Sequence, residues 1–136
     1  MAVCCGVPKN ESGELRNWLV KNQRLNISEV VNGKVNKNAK EAVLDYRLIK
    51  TVDTEKFGKL SLVYINLHTG RHHQIRVQFA SRRHPLVGDY KYATAYCGMD
   101  NAVKAVALKR NQIALCAVSL TIDNKTFSVT PDFVIN

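Results

Sequence analysis

The stretch Thr69-Gly-Arg-His-His-Gln-Ile-Arg-Val-Gln-Phe-Ala80, running on through His84-Pro-Leu-Val-Gly-Asp-Tyr-Lys-Tyr92, decides how the rest of this 136-residue chain is read. It follows an alternating apolar run, Leu60 to Leu67, that has the pattern of a strand. Inside it Arg71, Arg76, Arg82, Arg83 and Lys91 stand against a single acid, Asp89. A local excess of cation suits a polyanion such as RNA or DNA, and it equally suits a solvated basic face. Periodicity leaves residues 71–81 open. Ile75, Val77 and Phe79 alternate with Arg76 and Gln78 as in a strand. Thr69 as a cap and the i, i+4 pair of Ile75 with Phe79 suit a helix. His84-Pro85 would end that helix, and Gly88-Asp89 makes a turn.

Upstream, Lys59–His68 and Glu41–Val52 read as antiparallel strands joined across the short 53–58 loop. Residues 21–40 are polar and read as a loop or loose hairpin, with Asn32-Gly33 as the hairpin signal. Glu14–Val20 carries Leu15, Trp18 and Leu19 at helical spacing and suits one or two helical turns. Met1–Pro8 reads as a short apolar strand ended by Gly6 and Pro8, and such a strand wants a neighbour on both sides. Downstream, Tyr90–Val106 is mixed, Gln112–Ile122 reads as a strand, Asn124-Lys125 as a turn and Thr126–Val129 as the return strand. The chain reads as one domain, residues 1–136, with no repeat or linker.

Composition narrows the partner. Twenty Lys and Arg against eleven Asp and Glu leave a net charge of +9, which favours nucleic acid or another anionic surface. No run reaches the ~20 apolar residues of a membrane span, so no membrane partner is expected. The first residues lack the charged and apolar regions of a signal peptide. Cys4, Cys5, Cys97 and Cys116 offer no C-x-x-C spacing, and they read as reduced thiols of a cytoplasmic protein. His68, His72, His73 and the cysteines match no standard zinc spacing, so no metal is expected.

The stretch that opens this section resembles the T-G-R-x-H-Q-I-R-V…H-P-[IL]-x-G-D-x-x-Y signature of the RluA-type RNA pseudouridine synthases. Thr69, Gly70, Arg71, His73, Gln74, Ile75, Arg76 and Val77 match it, then His84, Pro85, Leu86, Val87, Gly88, Asp89 and Tyr92. His72 departs from it, standing where the family usually has Thr or Ser. The resemblance implies an α+β fold: a mixed, mainly antiparallel sheet with a helix near 71–82 across one face, half of a pseudouridine synthase catalytic domain. Strands are expected near 2–5, 42–51, 59–67, 112–122 and 126–129. Ile75, Val77, Phe79, Leu62, Tyr64, Leu115 and Val118 are expected in the core.

The resemblance also implies an isomerase acting on rRNA or tRNA with no cofactor and no metal. In the family one aspartate, in an H-R-L-D motif, works on the target uridine, and a tyrosine stacks on the flipped base. None of the eleven acids here sits in such a motif. Ala2-Val-Cys-Cys-Gly6 matches the A-V-V-x-G strand that follows the tyrosine, so the chain reads as the C-terminal portion of the catalytic domain, without its N-terminal half. Arg76 is the candidate catalytic-site residue, as partner of that absent aspartate. The other reading of Arg76 is a stem on the core with its head in solvent. Arg71, Arg82, Arg83 and Lys91 are candidate phosphate contacts. His73 and Gln74 are candidate RNA donors, or else local packing and capping groups. Tyr90 and Tyr92 either stack on bases or belong to the core. Asp89 is assigned to the turn alone. Cys116, where the family often has His, reads as a packed thiol. The alternative function is a non-catalytic basic RNA-binding module derived from the same fold; a basic structural protein binding nucleic acid without preference is the third.

Overall fold

The computed structural model describes residues 1–33, 37–54, 58–98, 113–122 and 125–128. In chain order its elements are β1 (Ala2–Cys5), β2 (Ser12–Asn22), β3 (Ile27–Val31), β4 (Lys40–Thr54), β5 (Gly58–Leu67), α1 (Gln74–Ser81), α2 (Tyr90–Cys97), β6 (Ser119–Ile122) and β7 (Lys125–Ser128). The first five strands form one sheet in the order β1-β5-β4-β2-β3, and β6 and β7 form a separate ribbon. Every described pairing is antiparallel. This is the α+β arrangement expected, with α1 across one face of the sheet.

The long β4 is the sheet's centre, paired with β5 on one side and β2 on the other. Period-two alternation turns Leu15 and Leu19 of β2, and Ala42 and Leu44 of β4, toward α1, where they meet Val77, Phe79 and Ala80. Glu14, Arg16 and Glu41 therefore fall on the opposite face and pair with one another in solvent. Fully burying Leu44, Val63, Val77 and Phe79 contributes roughly 1.5–3 kcal/mol each. Strand β1 does find neighbours on both sides. On one it pairs with β5; on the other, Val3 and Cys5 donate to the carbonyls of Ala114 and Pro85, at 3.0 and 2.9 Å.

Several expectations need correction. Glu14–Val20 is not helical but the middle of β2, because β4 pairs with it residue for residue from Ser12 to Leu19. Asn32-Gly33 is not a hairpin turn, since β3 and β4 are not neighbours and β2 lies between them. The tight hairpin in that region joins β2 to β3, with Asn26 at φ 49° and Leu25 N–H donating to Asn22 Oδ1. Gln112–Ile122 is not one strand: only Ser119–Ile122 is, and Leu115 makes an isolated bridge to Ala2. Tyr90–Val106 resolves into α2 as far as Cys97, and its part beyond Gly98 lies outside the described residues. In the core, Val77 and Phe79 are buried, Leu62, Tyr64, Ile75 and Val118 are half-buried, and Leu115, which makes only the isolated bridge, is exposed.

Candidate functional site

The site forms where the turn before α1 meets the start of α2. Helix α1 starts late, at Gln74, because Gln74 itself organises the turn. Its buried Oε1 accepts from Thr69 Oγ1 and from Arg71 N–H, at 2.7 and 3.0 Å, and its Nε2 donates to the carbonyl of Val43. Gln74 thus acts as a structural clamp, in line with the packing role that the sequence left open beside RNA donation. Thr69 does not cap the helix. His73 takes the cap position at φ 53°, in the left-handed region that His tolerates better than most residues.

Arg76 points from α1 to the loop before α2. Its Nε and Nη2 reach Asp89 Oδ2 and Oδ1 at 2.8 and 2.9 Å, a bidentate pair in which the carboxylate is fully buried. Gly88, at φ 88°, makes the turn that presents Asp89. Asp89 Oδ1 also accepts from Tyr92 N–H at 3.3 Å and so caps α2. Removing either partner of such a pair strands a buried charge, at a cost of about 3–5 kcal/mol. The partner of Arg76 among the described residues is therefore Asp89, which the sequence reading had given to a turn alone. Chain separation hid the pair: the two residues stand thirteen positions apart.

Tyr92 is entirely buried, so it belongs to the core and does not stack on a base. Arg76 lies over its ring at 4.8 Å. The Tyr92 hydroxyl accepts from Ser28 N–H at 2.8 Å and meets His73 Nδ1 at 2.8 Å. Its own proton then goes to Nδ1, which makes His73 the acceptor and leaves it neutral. Burial, and the cations Arg76 and Lys91 beside it, push the His73 pKa down to about 4. His72 stacks on His73, ring centroids 3.7 Å apart, and meets Ser28 Oγ at 2.8 Å; burial and Lys21 lower its pKa as well.

The remaining cations divide by position. Arg71 is exposed at the N-terminal end of α1, with Nε donating to the carbonyl of Glu41 at 2.9 Å. Lys91 is exposed close by and donates to the carbonyl of Asn26. Arg82 and Arg83 lie past the other end of α1, about 12 Å of helix away. Arg82 is half-buried, and its Nη1 donates to Asn17 Oδ1 and to the carbonyl of Gln78, at 2.7 and 3.0 Å. Its Nη1 is thereby held against β2. Arg83 is exposed.

Beside His72, a groove of about 710 Å³ opens between the β2–β3 hairpin, residues 37–40 and the Gly70–His72 turn. Lys21, Lys37, Lys40 and Arg71 line it, and among the described residues no acid does. None of the three lysines was singled out from sequence, because they lie far apart along the chain and no local motif joins them.

The profile of the RNA pseudouridylate synthase family matches residues 1–81. An RNA pseudouridine synthase of Chlorobaculum parvum is 35% identical over 101 residues, 69% of this chain and 27% of that protein. The ribosomal large subunit pseudouridine synthase D of Nitrosomonas europaea is 37% identical over 84 residues, 62% of this chain and 23% of that protein. The structure of human RNA pseudouridylate synthase domain containing 1 superposes with a TM-score of 0.73 over 96% of this chain and 52% of that one, at 23% identity, a likeness of fold. The chain thus spans about half of that structure and about a quarter of the two curated relatives.

Proposed function

Because the chain belongs to the RNA pseudouridylate synthase family, we propose that the protein takes part in isomerising uridine to pseudouridine in ribosomal or transfer RNA. The reaction breaks the bond from ribose to uracil nitrogen, turns the base, and rejoins it through carbon, with no cofactor or metal. The observation that carries the proposal is the way the Thr69–Val77 and His84–Tyr92 segments converge. They hold one guanidinium, that of Arg76, in a bidentate pair over Tyr92, whose hydroxyl meets His73, and His73 stacks on His72 in the wall of a basic groove. Asp89 takes the Nε–Nη2 edge, and among the described residues nothing is bonded to Nη1. That second edge has the planar fork to hold the carboxylate of a catalytic aspartate in its charged form. Asp89 orients the fork. Arg71, Arg83 and Lys91 are exposed and suited to phosphate; His73 accepts from the Tyr92 hydroxyl. The four cysteines form no disulfide, which fits a reducing cytoplasm.

One observation favours the second reading, a non-catalytic RNA-binding module, for these 136 residues taken alone: Asp89, the acid at Arg76, has both oxygens occupied. The two readings separate in the cell. Pseudouridine mapping of total RNA should show at least one rRNA or tRNA site unmodified when the gene is deleted, and restored by the gene in trans. A deletion strain with every pseudouridine in place would overturn the enzymatic reading and leave the module.

A further inference from the structure

The face of the sheet that α1 covers does not stop where α1 stops. Beyond its N-terminal turn the same alternation continues: Lys21 follows Leu19 on β2, and Lys40 precedes Ala42 on β4. What was core under the helix becomes an open, lysine-lined floor. Residues 37–38 wall one side and Gly70–His72 the other.

Some cations elsewhere in the described structure have acid partners. Arg16 pairs with Glu14 and Glu41, Lys59 with Asp53, and Arg76 with Asp89. Among the described residues no acid pairs with Lys21, Lys37 or Lys40, although Glu41 is the next residue after Lys40. The strand's pleat puts the Glu41 carboxylate on the opposite face, beside Arg16. Three unpaired ammonium groups with Arg71 in one concave surface raise the local potential more than the same charges scattered would.

The groove also leads to the site. His72 lines it, is stacked on His73, and His73 is bonded to Tyr92 beneath Arg76. Gln23 adds an exposed neutral polar group to the lining, suited to a sugar hydroxyl. We propose that the Lys21–Lys37–Lys40–Arg71 groove is the track that holds the sugar–phosphate backbone of the RNA next to the target nucleotide. This rests on the RNA reading above and adds the surface, which lies on the β2–β3–β4 side and not at the Arg82–Arg83 end of α1.

The test is the salt dependence of binding to a fluorescent twelve-residue oligouridine. Each phosphate engaged on a single strand contributes about −0.7 to the slope of log K against log salt. The K21A/K37A/K40A variant should therefore lose roughly 2 units of slope and bind at least ten-fold more weakly at 50 mM salt. All three side chains are exposed, so its thermal melt should match the parent. The control K9A/K50A/K125A removes the same charge from other exposed positions and should keep most of the slope. If the parent binds and the two triple variants bind alike, the groove proposal is wrong and the RNA reading stands. If the parent does not bind the oligonucleotide at any salt, both are wrong. If the three groove lysines instead govern binding to anionic phosphatidylserine vesicles while RNA is ignored, the groove belongs to a membrane surface and the proposal falls.

Discussion

His73 shows how one residue is fixed by chemistry from several directions. Its backbone adopts the left-handed cap, and its ring lies between the Tyr92 hydroxyl and His72. Arg76 and Lys91 face it as cations from α1 and α2, and Asp89 is the acid nearest to opposing them. Protonation would put a third positive charge into that space and reverse the hydrogen bond from Tyr92. The unfolded chain takes up a proton here near pH 6.5, whereas the folded chain resists until about 4. His73 therefore contributes its full stability above pH 6.5 and loses it progressively as the pH falls toward 4. His72, lowered in the same direction, adds to the trend. Asn tolerates the left-handed conformation and does not titrate, so His73→Asn isolates the effect. Urea midpoints of parent and variant, measured from pH 7.5 to 4.5, should draw together or cross as the pH falls. A constant gap across that range would mean that His73 is not held neutral.

Helix α2 solves a problem that the sheet creates. β3 is an edge strand, and the N–H groups of Ser28 and Val30 point away from β2 with no strand to receive them. Tyr92 and Tyr96, one helical turn apart, set their hydroxyls against those two groups at 2.8 and 3.0 Å. The spacings agree because four residues of helix rise about 6 Å and two residues of strand about 6.6 Å. The helix thereby closes the edge and anchors Arg76's neighbour at the same time. Tyr92→Phe should leave a buried N–H unpaired, costing about 1–3 kcal/mol, and Tyr96→Phe should cost less because its site is only part-buried. Hydrogen exchange at Ser28 and Val30 should accelerate in the respective variants; unchanged protection of both amides would disprove the clip. Neither tyrosine's task was legible in the sequence, since each depends on a strand more than sixty residues away. The same limit explains β2. Leu15, Trp18 and Leu19 have helical spacing taken alone, but β4 supplies a ladder from Ser12 to Leu19 that local propensity cannot see. By contrast β4, β5 and β1 were legible, because their alternation is long or their ends are marked by glycine. α1 was recovered through the motif, where periodicity was ambiguous.

At the scale of the whole molecule, four of the described acids are held away from the site in pairs of their own. Glu14 and Glu41 lie on the sheet face turned away from α1, paired with Arg16. Asp45 is paired with His68, and Asp53 with Lys59, both in solvent. Asp89 is at the site, but it is sealed: its side chain has no exposure and both oxygens are bound. Pseudouridine formation needs a uridine flipped from its stack, at a cost of a few kcal/mol. It then needs a carboxylate free to act on the sugar or base. Arg76 cannot supply that function, because a guanidinium is a permanent cation, neither nucleophile nor base at neutral pH. Freeing Asp89 would break the bidentate pair and uncap α2 together, so the fold that positions Arg76 also disqualifies the acid beside it. Purified residues 1–136 should therefore bind RNA in a salt-sensitive way and yet form no pseudouridine. A tritium-release assay on 5-tritiated uridine in total RNA, checked by mass spectrometry, measures this directly. Turnover by this chain would require one of its own eleven acids to act as the catalyst. Loss of that turnover in Asp89→Asn would then identify the sealed carboxylate as one that opens, and the arrangement described here would be a resting state.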